Sequence, residues 1–418
     1  MKEIVSLCKR RGFIYPSSLI YGGMANAWDY GPLGVELLEN IKRSWWDRFV
    51  RSRGDMVGLS SAIIVNPKIW ESSGHLSGFS DPLVDCKKCH ARHREDHVEG
   101  ACPTCGEKDS FTKSRDFNLM FKTFVGPVDD ESGKAYLRPE TAQGIFVNFK
   151  NIATTSRKKI PFGVGQIGKA FRNEITPGNY IFRTREFEQM EIEYFVREEE
   201  WEKYFEEWRK EVLSWTDFLG LSRDNIVELD VPSHELAHYS KKTIDFQYRF
   251  PFGVDELYGL AYRTDFDLRN HEKNSKENMK YRDPHTGEEY WPHVIEPSFG
   301  LDRTVLAVLV EHYAEEEDRV VMRFPSAIAP IKVAVFPLTK KQNEKATEIY
   351  ESLCKSFVCD YDDGGSIGRR YRRQDEIGTP ICLTVDFEED TVTLRERDSM
   401  EQKRVAINEL EKEIKRLL

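Results

Sequence analysis

Apolar residues recur every three to four positions in two long stretches of the chain, residues 33–53 and 198–219. This spacing places them on one face of a helix, so both stretches are predicted to be amphipathic helices that end near Gly54 and Gly220. In the second helix the apolar face is largely aromatic, and we interpret it as packed core: Trp201, Phe205, Trp208, Val212 and Trp215.

Shorter apolar runs predict strands. Residues 162–175 and 181–196 alternate apolar and polar positions around a Pro/Gly turn, which predicts an antiparallel hairpin. We also predict a strand over residues 56–65 and a short strand at Leu137–Arg138, followed by a helix from about Glu140. Residues 221–290 are polar and irregular in pattern, and we expect them to mix insertion with sheet.

The last part of the chain alternates short strands with helices. After a Pro-containing linker over residues 323–330, we predict strands over 332–337, 381–387 and 391–395, and helices over 340–357, over 368–376 and from about Gln402. Alternation of this kind predicts an α/β domain. We therefore expect two domains, residues 1–325 and 331–418, in a mixed α/β (α+β) fold.

Charged and aromatic residues share one face of the predicted hairpin. Alternate residues of a strand point the same way, so Arg172 joins Glu174, while Phe187 joins Gln189 and Glu191 on the returning strand. Guanidinium groups bind phosphates, an aromatic ring stacks on a base, and a carboxylate accepts from an exocyclic amine. The chain contains no glycine-rich phosphate loop, so a nucleotide would be held by side chains on a sheet.

These motifs resemble the class II aminoacyl-tRNA synthetases. Residues 171–187 are similar to their second signature, residues 300–303 to their third, and residues 32–67 to their first. Four further stretches are similar to the dimeric glycyl-tRNA synthetases: WDYGPLG (28–34), LRPETAQG (137–144), REFEQME (185–191) and YRRQDEIGTP (371–380). The resemblance implies an antiparallel catalytic sheet flanked by helices, with a C-terminal anticodon-binding domain.

The resemblance also implies an ATP site with Mg²⁺ bridging the phosphates. The first step needs no general base, because the attacking carboxylate is already ionised, so alignment and charge neutralisation are the protein's task. Arg172 and Arg303 would be the catalytic residues, and any one arginine alone is more often a surface ion pair. The implied ATP-binding residues are Arg172, Asn173, Glu174, Phe182, Arg183, Thr184, Arg185, Glu186, Phe187, Glu256, Leu257, Gly300, Leu301, Asp302 and Arg303.

Glycine has no side chain, so a selective pocket must be narrow and acidic. Clustered carboxylates raise one another's pKa values unless a cation lies between them, and the substrate ammonium could be that cation. Alternatively, these acids simply pair with nearby arginines. Glu188 is the weaker member, because it shares a strand face with Met190. The implied residues are Arg94, Glu140, Phe187, Glu188, Gln189, Met190, Glu191, Glu296, Pro297, Ser298, Phe299 and Gly300.

Two further clusters carry chemistry. Cys86-x-x-Cys89 and Cys102-x-x-Cys105 flank a 12-residue spacer within a predicted insertion, residues 81–112. Paired motifs of this kind predict a structural four-thiolate zinc site, with a redox dithiol as the alternative. In the C-terminal domain, arginines around one tyrosine suit RNA contact, although a solvated basic helix has the same pattern: Arg369, Arg370, Tyr371, Arg372 and Arg373.

Composition limits the setting. The 418 residues carry a formal net charge of −10, which argues against indiscriminate nucleic-acid binding but not against a selective RNA partner. No apolar run approaches a membrane span and no secretory signal precedes the first helix, so we expect a cytoplasmic protein.

We expect a homodimeric glycine–tRNA ligase that uses glycine, ATP and tRNA(Gly), with its dimer interface in residues 32–67. Two alternatives stay open. One is a class II ligase for threonine, proline, serine or histidine, and the other is a non-catalytic synthetase-like accessory protein.

Overall fold

The computed structural model describes residues 1–128 and 130–418. Within them the α-helices are α1 (Lys2–Arg11), α2 (Pro32–Trp46), α3 (Lys68–Ser72), α4 (His75–Gly78), α5 (Ala142–Ser156), α6 (Trp201–Phe218), α7 (Phe266–Ser275), α8 (Leu301–His312), α9 (Asn343–Leu353), α10 (Ile367–Ile377) and α11 (Leu410–Leu417). None of these helices is both long and apolar enough to cross a membrane.

The strands of the same residues are β1 (Ile14–Pro16), β2 (Trp28–Tyr30), β3 (Met56–Gly58), β4 (Ser80–Asp85), β5 (Arg92–Arg94), β6 (Arg115–Asn118), β7 (Lys122–Phe124), β8 (Lys134–Tyr136), β9 (Phe162–Phe171), β10 (Glu186–Val196), β11 (Ile226–Asp230), β12 (Lys242–Phe250), β13 (Gly253–Thr264), β14 (Tyr281–Arg282), β15 (Glu289–Tyr290), β16 (His293–Gly300), β17 (Tyr313–Glu315), β18 (Val320–Met322), β19 (Val333–Pro337), β20 (Cys359–Tyr361), β21 (Ile381–Val385), β22 (Thr391–Glu396) and β23 (Gln402–Ala406).

A seven-stranded sheet organises most of the chain, in the order β11-β12-β13-β16-β10-β9-β3. All neighbours pair antiparallel except β3, which runs parallel to β9 at the edge. The register places Glu191 of β10 opposite Ser298 of β16 and Gln166 of β9.

Helices cover both faces of this sheet. Apolar side chains of α2, α6 and α8 form the main hydrophobic core on one face, including Trp45, Trp208 and Leu306. A second core forms around α5 and α7 with Phe149 and Leu268. The sheet therefore packs against α2, α6 and α8 through one face. Its other face carries apolar residues toward α5 and α7, including Phe162 and Phe195, and also the buried polar residues Glu191 and Glu193.

The C-terminal residues form a separate mixed sheet, in the order β20-β19-β21-β22-β23. Its own core includes Val335, Leu383 and Ile414. The cysteine-rich segment forms a three-stranded sheet, β5-β4-β6. The predicted fold class, a helix-flanked antiparallel sheet with a C-terminal α/β unit, is confirmed.

Several predicted elements differ in their bounds. The strand predicted over residues 56–65 pairs with the sheet only as far as Gly58, and Leu137 makes an isolated bridge to Ile64 instead of a strand. The first long helix ends in a π-helical turn (Asp47–Arg51) before Gly54. The two hairpin strands are shorter than predicted because residues 172–185 form the turn.

Residues 221–290 contain sheet, as expected, because they supply β11, β12 and β13 of the central sheet. One prediction was wrong in kind. Residues 402–406 form β23, not the start of a helix, and the closing helix begins at Leu410. Lys403 and Val405 lie two positions apart, as residues on one face of a strand do. Five residues are too few to distinguish this period from that of a helix.

Candidate active site

A cavity of about 330 Å³ opens at the ends of β9, β10, β13 and β16 and the start of α8. Many of the predicted site residues line it together: Glu140, Arg172, Glu174, Phe182, Arg183, Thr184, Phe187, Glu188, Gln189, Glu191, Glu256, Leu257, Glu296, Ser298, Gly300, Asp302 and Arg303. Sequence positions more than 160 residues apart thus converge on one pocket.

Strand alternation explains one wall of the cavity. Phe187, Gln189 and Glu191 are alternate residues of β10 and all three line it, as predicted. Glu188 also lines the cavity, although strand alternation assigns its side chain to the opposite face. It lies near the start of β10, which begins at Glu186, and the cavity extends around this end of the strand. The Glu188 carboxylate pairs with Lys42 at 3.1 Å.

Arg172 and Glu174 reach the cavity from the turn beyond β9, so strand geometry is not what aligns them. The Arg172 Nε donates to the carbonyl of Pro139 at 3.1 Å, and its guanidinium lies 5.3 Å from the ring centroid of Phe187. One oxygen of Glu174, Oε2, is buried without a hydrogen-bond partner among the described residues, 3.8 Å from Arg183.

Arg303 marks the opposite side of the cavity, in the first turn of α8. Its Nη1 donates to the Glu256 carbonyl at 2.9 Å and to Glu256 Oε2 at 3.0 Å, and its guanidinium lies 4.5 Å from the ring of Phe182. Desolvation raises the pKa of Glu256, but the charge of Arg303, with those of Arg172 and Arg183, outweighs it and holds the pKa below its ordinary value.

Asp245 of β12 joins this region, although the sequence analysis did not identify it. Burial first, and then the charge of Glu256, raises the pKa of Asp245 to about 7, while Arg303 opposes the shift. Two carboxyls and three guanidinium groups therefore share one end of the cavity. A di- or triphosphate would meet fixed cations there, with acids left to hold a divalent ion.

The other end of the cavity is lined by buried acids. Glu191 is 3% exposed and accepts four hydrogen bonds. Its donors are the Thr141 amide (3.0 Å), the Thr141 hydroxyl, Gln189 Nε2 (2.8 Å) and Ser298 Oγ (3.0 Å). These contacts fix the carboxylate, which makes it a preorganised acceptor for a small cation.

One buried cation lies among these acids. Arg263 of β13 is 1% exposed, donates to Glu296 at 2.7 Å and forms a forked pair with Asp267 at 2.9 and 3.0 Å. Its guanidinium stacks 3.8 Å from the ring of Tyr239. Arg263 pairs with some of the acids, as the alternative interpretation of the sequence expected. One arginine carries one positive charge, however, and cannot neutralise all of them.

The pKa values show the remaining imbalance. Burial raises the pKa of Glu296 to about 8, with Glu191 and Glu140 adding to the shift and Arg263 opposing it. Burial and Glu140 also raise the pKa of Glu191. The pocket therefore has acids that ionise fully only when another cation enters, as the sequence analysis predicted.

Glu140 behaves differently from its neighbours. Burial alone raises its pKa, but His75 and Arg263 outweigh that effect and lower it. His75 Nε2 lies 3.3 Å from Glu140 Oε2, and Ser73 Oγ contacts the other ring nitrogen at 2.7 Å. A buried polar chain of Ser73, His75 and Glu140 thus supports this wall from behind.

The remaining predicted site residues lie outside the cavity lining. Met190, Phe299 and Leu301 are buried in the main core, and Pro297 is buried in β16. Asn173, Arg185 and Glu186 lie in or beside the turn after β9. Arg94 forms ion pairs with Asp81 at 3.0 Å and Asp96 at 2.7 Å, near enough to Glu174 for their charges to interact.

The four cysteines converge as their spacing predicted. Their sulfur atoms all lie within 4.8 Å of one another, with Cys86–Cys105 and Cys89–Cys102 both at 3.7 Å. Zinc–sulfur bonds of about 2.3 Å place the sulfurs of a tetrahedral site about 3.8 Å apart. The Cys89 amide, the strongest influence, and the Ser110 hydroxyl lower the pKa of Cys86 to about 5. The residues present fit a four-thiolate zinc site.

The basic cluster of the C-terminal unit divides into two groups on α10. Arg370 is buried and donates to the carbonyls of Pro337, Asp363 and Gly365, and Tyr371 contacts Thr384 at 2.6 Å. Arg373 pairs with Asp362. Only Arg369 and Arg372 are exposed in this cluster. Three of the five predicted RNA-contacting residues thus have contacts inside the domain.

Sequence reasoning missed Arg263, Tyr239 and Asp245. A signal existed for Asp245, because Thr243 and Asp245 alternate on a strand face that reaches the cavity. Arg263 and Tyr239 carry no local pattern. The number of acids assigned to one pocket was the available hint that a buried cation had to be present.

Comparison with known proteins agrees with this geometry. Residues 121–313 match the model of the tRNA synthetase class II core domain (G, H, P, S and T), and residues 332–417 match the anticodon binding domain. Glycine–tRNA ligases of Alkaliphilus oremlandii and Acetivibrio thermocellus are each 54% identical over 98% of this chain and 96% of their own. That of Caldanaerobacter subterraneus subsp. tengcongensis is 54% identical over 99% of this chain and 97% of its own.

The chain belongs to the glycine–tRNA ligase family. The class II core match covers the cavity, from Glu140 to Arg303, and the anticodon-binding match covers the C-terminal sheet. The relatives' name, glycine–tRNA ligase, agrees with a chain that has no glycine-rich phosphate loop and has a cavity lined by arginines and acids.

Proposed function

We propose that this ligase activates glycine with ATP to form glycyl-adenylate and pyrophosphate, and then transfers glycine to the 3′ end of tRNA(Gly). One observation carries the proposal: a cation-lined half and an acid-lined half share a single cavity of about 330 Å³. A triphosphate and a small ammonium-bearing substrate fit these halves in one orientation, with the amino-acid carboxylate facing the phosphates.

The arginines supply the charge that the first step requires. Attack of the glycine carboxylate on the α-phosphorus builds negative charge on the phosphate oxygens, and preorganised cations stabilise that charge. Arg172, next to the ring of Phe187, is placed for the α-phosphate and the carboxylate. Arg183 and Arg303 share the same end of the cavity and would hold the γ-phosphate. The helix start at α8 adds partial positive charge there.

The adenine would stack on the ring of Phe187, which lines the cavity. Stacking on the aromatic ring is sequence-independent, so base identity needs a polar reader. The buried Glu174 Oε2 accepts no hydrogen bond from the described residues and lies 3.8 Å from Arg183, so it is an acceptor suited to the exocyclic amine. A buried acceptor without a hydrogen bond costs about 1–3 kcal/mol, which a base amine would recover.

Glycine selection follows from charge and space. Glu191 and Glu296 face the ammonium, and Ser298 and Gln189 hold Glu191 in position. Ser298 and Tyr239 line the cavity beside these acids, so a side chain on the substrate Cα would compete with them for space. Steric exclusion of this kind discriminates more strongly than loss of a methylene contact, which is worth about 1–3 kcal/mol.

Two metal sites belong to the proposal. Glu256 and the adjacent Asp245 would hold Mg²⁺, whose charge would help neutralise the phosphates. Cys86, Cys89, Cys102 and Cys105 would hold a structural zinc ion in the segment 81–112, far along the chain from the reacting groups.

The C-terminal unit, residues 331–418, is proposed to bind the anticodon of the tRNA, and residues 1–325 to form the catalytic domain. The match of residues 332–417 to the anticodon binding domain supports the role proposed for the C-terminal unit. The exposed Arg369 and Arg372 are the members of the basic cluster placed for RNA contact. Residues 198–290 hold both sheet strands and the loop 231–240 that covers the acidic end of the cavity.

A homodimer is proposed to be the working form, with an interface that includes residues 32–67. Exposed apolar residues inside and just before this range support an interface. Val35 and Ile64 are 42% and 50% exposed, and Ile20 and Tyr21 are both 88% exposed. Monomeric proteins rarely expose such contiguous apolar surface. We place the enzyme in the cytoplasm, because all eight cysteines are free thiols, as a reducing compartment favours.

Exchange of labelled pyrophosphate into ATP tests the activity directly. The purified chain is incubated separately with glycine, alanine, serine, threonine, proline and histidine. Only glycine should support exchange, and tRNA(Gly) should then be charged with it. Exchange driven by another of these amino acids would reject the glycine assignment, and no exchange together with no ATP binding by calorimetry would favour an accessory protein.

A further inference from the structure

Glu193 is a fully buried acid that the proposed mechanism does not use. Its exposure is 0%, and neither of its carboxyl oxygens has an N–H or O–H donor within hydrogen-bond reach among the described residues. Buried carboxylates in folded proteins are almost always paired. An ionised, unpaired Glu193 would therefore be strongly destabilising.

The sheet register places Glu193 directly opposite a residue of the acidic pocket. The β10–β16 ladder keeps one register from Glu191–Ser298 to Tyr194–Ile295, so Glu193 faces Glu296 across the strands. Both are on the face that carries Glu191 and Ser298 into the cavity. Directly opposed residues have Cβ atoms about 5 Å apart, and like charges in that arrangement are destabilising.

The other neighbours do not resolve this conflict. The charged groups that act on Glu193 are Glu296 on β16, Arg263 on β13, Glu191 on its own strand and Asp267 on α7. Arg263 is already committed to Asp267 and Glu296. His271 of α7 bonds Gln143 and burial lowers its pKa, which keeps it neutral. On β9, the residue opposite Glu193 is Val164, which has no polar side chain.

We propose that Glu193 is a neutral carboxylic acid that donates a hydrogen bond to the carboxylate of Glu296 and positions it for the substrate ammonium. Burial, followed by the charge of Glu296, raises the pKa of Glu193 well above its ordinary value, which agrees with this state. Of the two carboxyls, Glu296 is the one that ionises when a cation enters, because Arg263 donates to it at 2.7 Å and Glu193 has no such donor among the described residues.

The consequence concerns charge in the pocket. A shared proton lets two opposed carboxyls lie side by side without repulsion, so the face toward the substrate presents one fixed charge from this pair. Glu193 is thus a positioning residue that touches Glu296 and not the glycine. This inference deepens the proposed function and depends on it for the role of Glu296.

The test compares E193Q, an isosteric neutral donor, with E193M, which has similar volume but no donor. We expect E193Q to keep the KM for glycine within about threefold of wild type in pyrophosphate exchange. E193M should raise it about tenfold, since Glu296 loses a hydrogen bond to a charged group. In E193M, kcat at saturating glycine should change less than KM. Equal KM values for E193Q and E193M would overturn the positioning role.

A spectroscopic measurement tests the protonation state without any need for activity. The infrared difference spectrum of wild type minus E193Q at neutral pH, recorded with and without glycine, should show the carbonyl stretch of a protonated carboxylic acid. Absence of that band, or a KM raised more than about tenfold in a folded E193Q, would mean that Glu193 is ionised. Because the band does not depend on catalysis, failure of glycine activation in the wild type would reject the proposed function separately.

Discussion

Replacing Arg303 by alanine separates charge stabilisation from folding more cleanly than any other change in the cavity. Arg303 projects from the first turn of α8 toward Glu256, and its side chain is 23% exposed. Its contacts are two hydrogen bonds to Glu256, a long hydrogen bond to the Phe182 carbonyl at 3.4 Å, and a stacking contact with the Phe182 ring. Phe182 belongs to the main apolar core but Arg303 itself does not, so Arg303→Ala removes a cation and little buried apolar surface.

The substitution is expected to have a large effect on kcat and a small effect on the free energy of unfolding. Loss of one preorganised group that stabilises transition-state charge lowers kcat about 100- to 1,000-fold, or about 3–4 kcal/mol in the barrier. The Arg303–Glu256 ion pair is partly exposed, with Glu256 at 46%, so its loss should lower the free energy of unfolding by no more than about 1 kcal/mol. For a chain of this size that corresponds to a Tm change of about 2 °C or less.

The assay is pyrophosphate exchange with glycine, with thermal unfolding measured on the same preparations. Arg223→Ala is the matched control, because Arg223 also forms a partly exposed ion pair, with Asp217 at 2.6 Å, and does not line the cavity. Arg303→Lys should recover part of the rate, since it keeps the charge but loses the planar fork. Normal turnover in Arg303→Ala would refute the phosphate role. A large fall in Tm would show that Arg303 also stabilises the fold.

Three further outcomes are expected. Metal analysis should find about one zinc per chain, and Cys86→Ser should lower both zinc content and thermal stability, since four thiolates close one tetrahedral site; a metal-free wild type would contradict the site. Ile20→Asp should shift the chain toward monomer in light scattering, because it buries a charge in the proposed apolar interface, and an unchanged dimer would place the interface elsewhere. The KM for glycine should fall as pH rises from 6 to about 8, because ammonium binding needs the ionised form of Glu296, whose pKa is raised to about 8. The stability of the empty enzyme has the opposite trend: a raised pKa favours the folded state below the ordinary value near 4.5, and that contribution is lost as pH rises through about 8. A KM that is independent of pH in the wild type, or a pH dependence that persists after Glu296→Gln, would contradict this assignment.

Local pattern was sufficient where one face of one element determines the outcome. The aromatic stripe of residues 201–215 predicted the helix α6 and its packing, because every member lies on the buried face of a single helix. The alternation of β10 predicted which of its residues enter the cavity, with Glu188 as the exception at the strand end. Four cysteines in two pairs predicted their own convergence, because tetrahedral closure leaves few other arrangements.

Local pattern failed where a residue's role depends on partners from other elements. The basic pattern of α10 predicted an RNA-contacting surface. In the structure, however, Arg370 donates hydrogen bonds to three backbone carbonyls, and the Tyr371 hydroxyl bonds to Thr384 of the C-terminal sheet. Local pattern does not show that the chain folds back to bring these carbonyls together, two of them from the turn just before the helix and one from Pro337 at the end of β19.

The acidic pocket shows the same limit more sharply. Alternation along β10 assigns Glu191 and Glu193 to one face, but it cannot say that one is saturated with four donors and the other with none. That difference arises because Thr141 and Ser298 meet the first carboxyl, whereas Glu296 meets the second across the sheet. Two identical side chains two positions apart are therefore driven to different protonation states by the register of a strand more than 100 residues away. Charge in this site is a property of sheet pairing, and only the folded register specifies which carboxyl is available to a substrate ammonium.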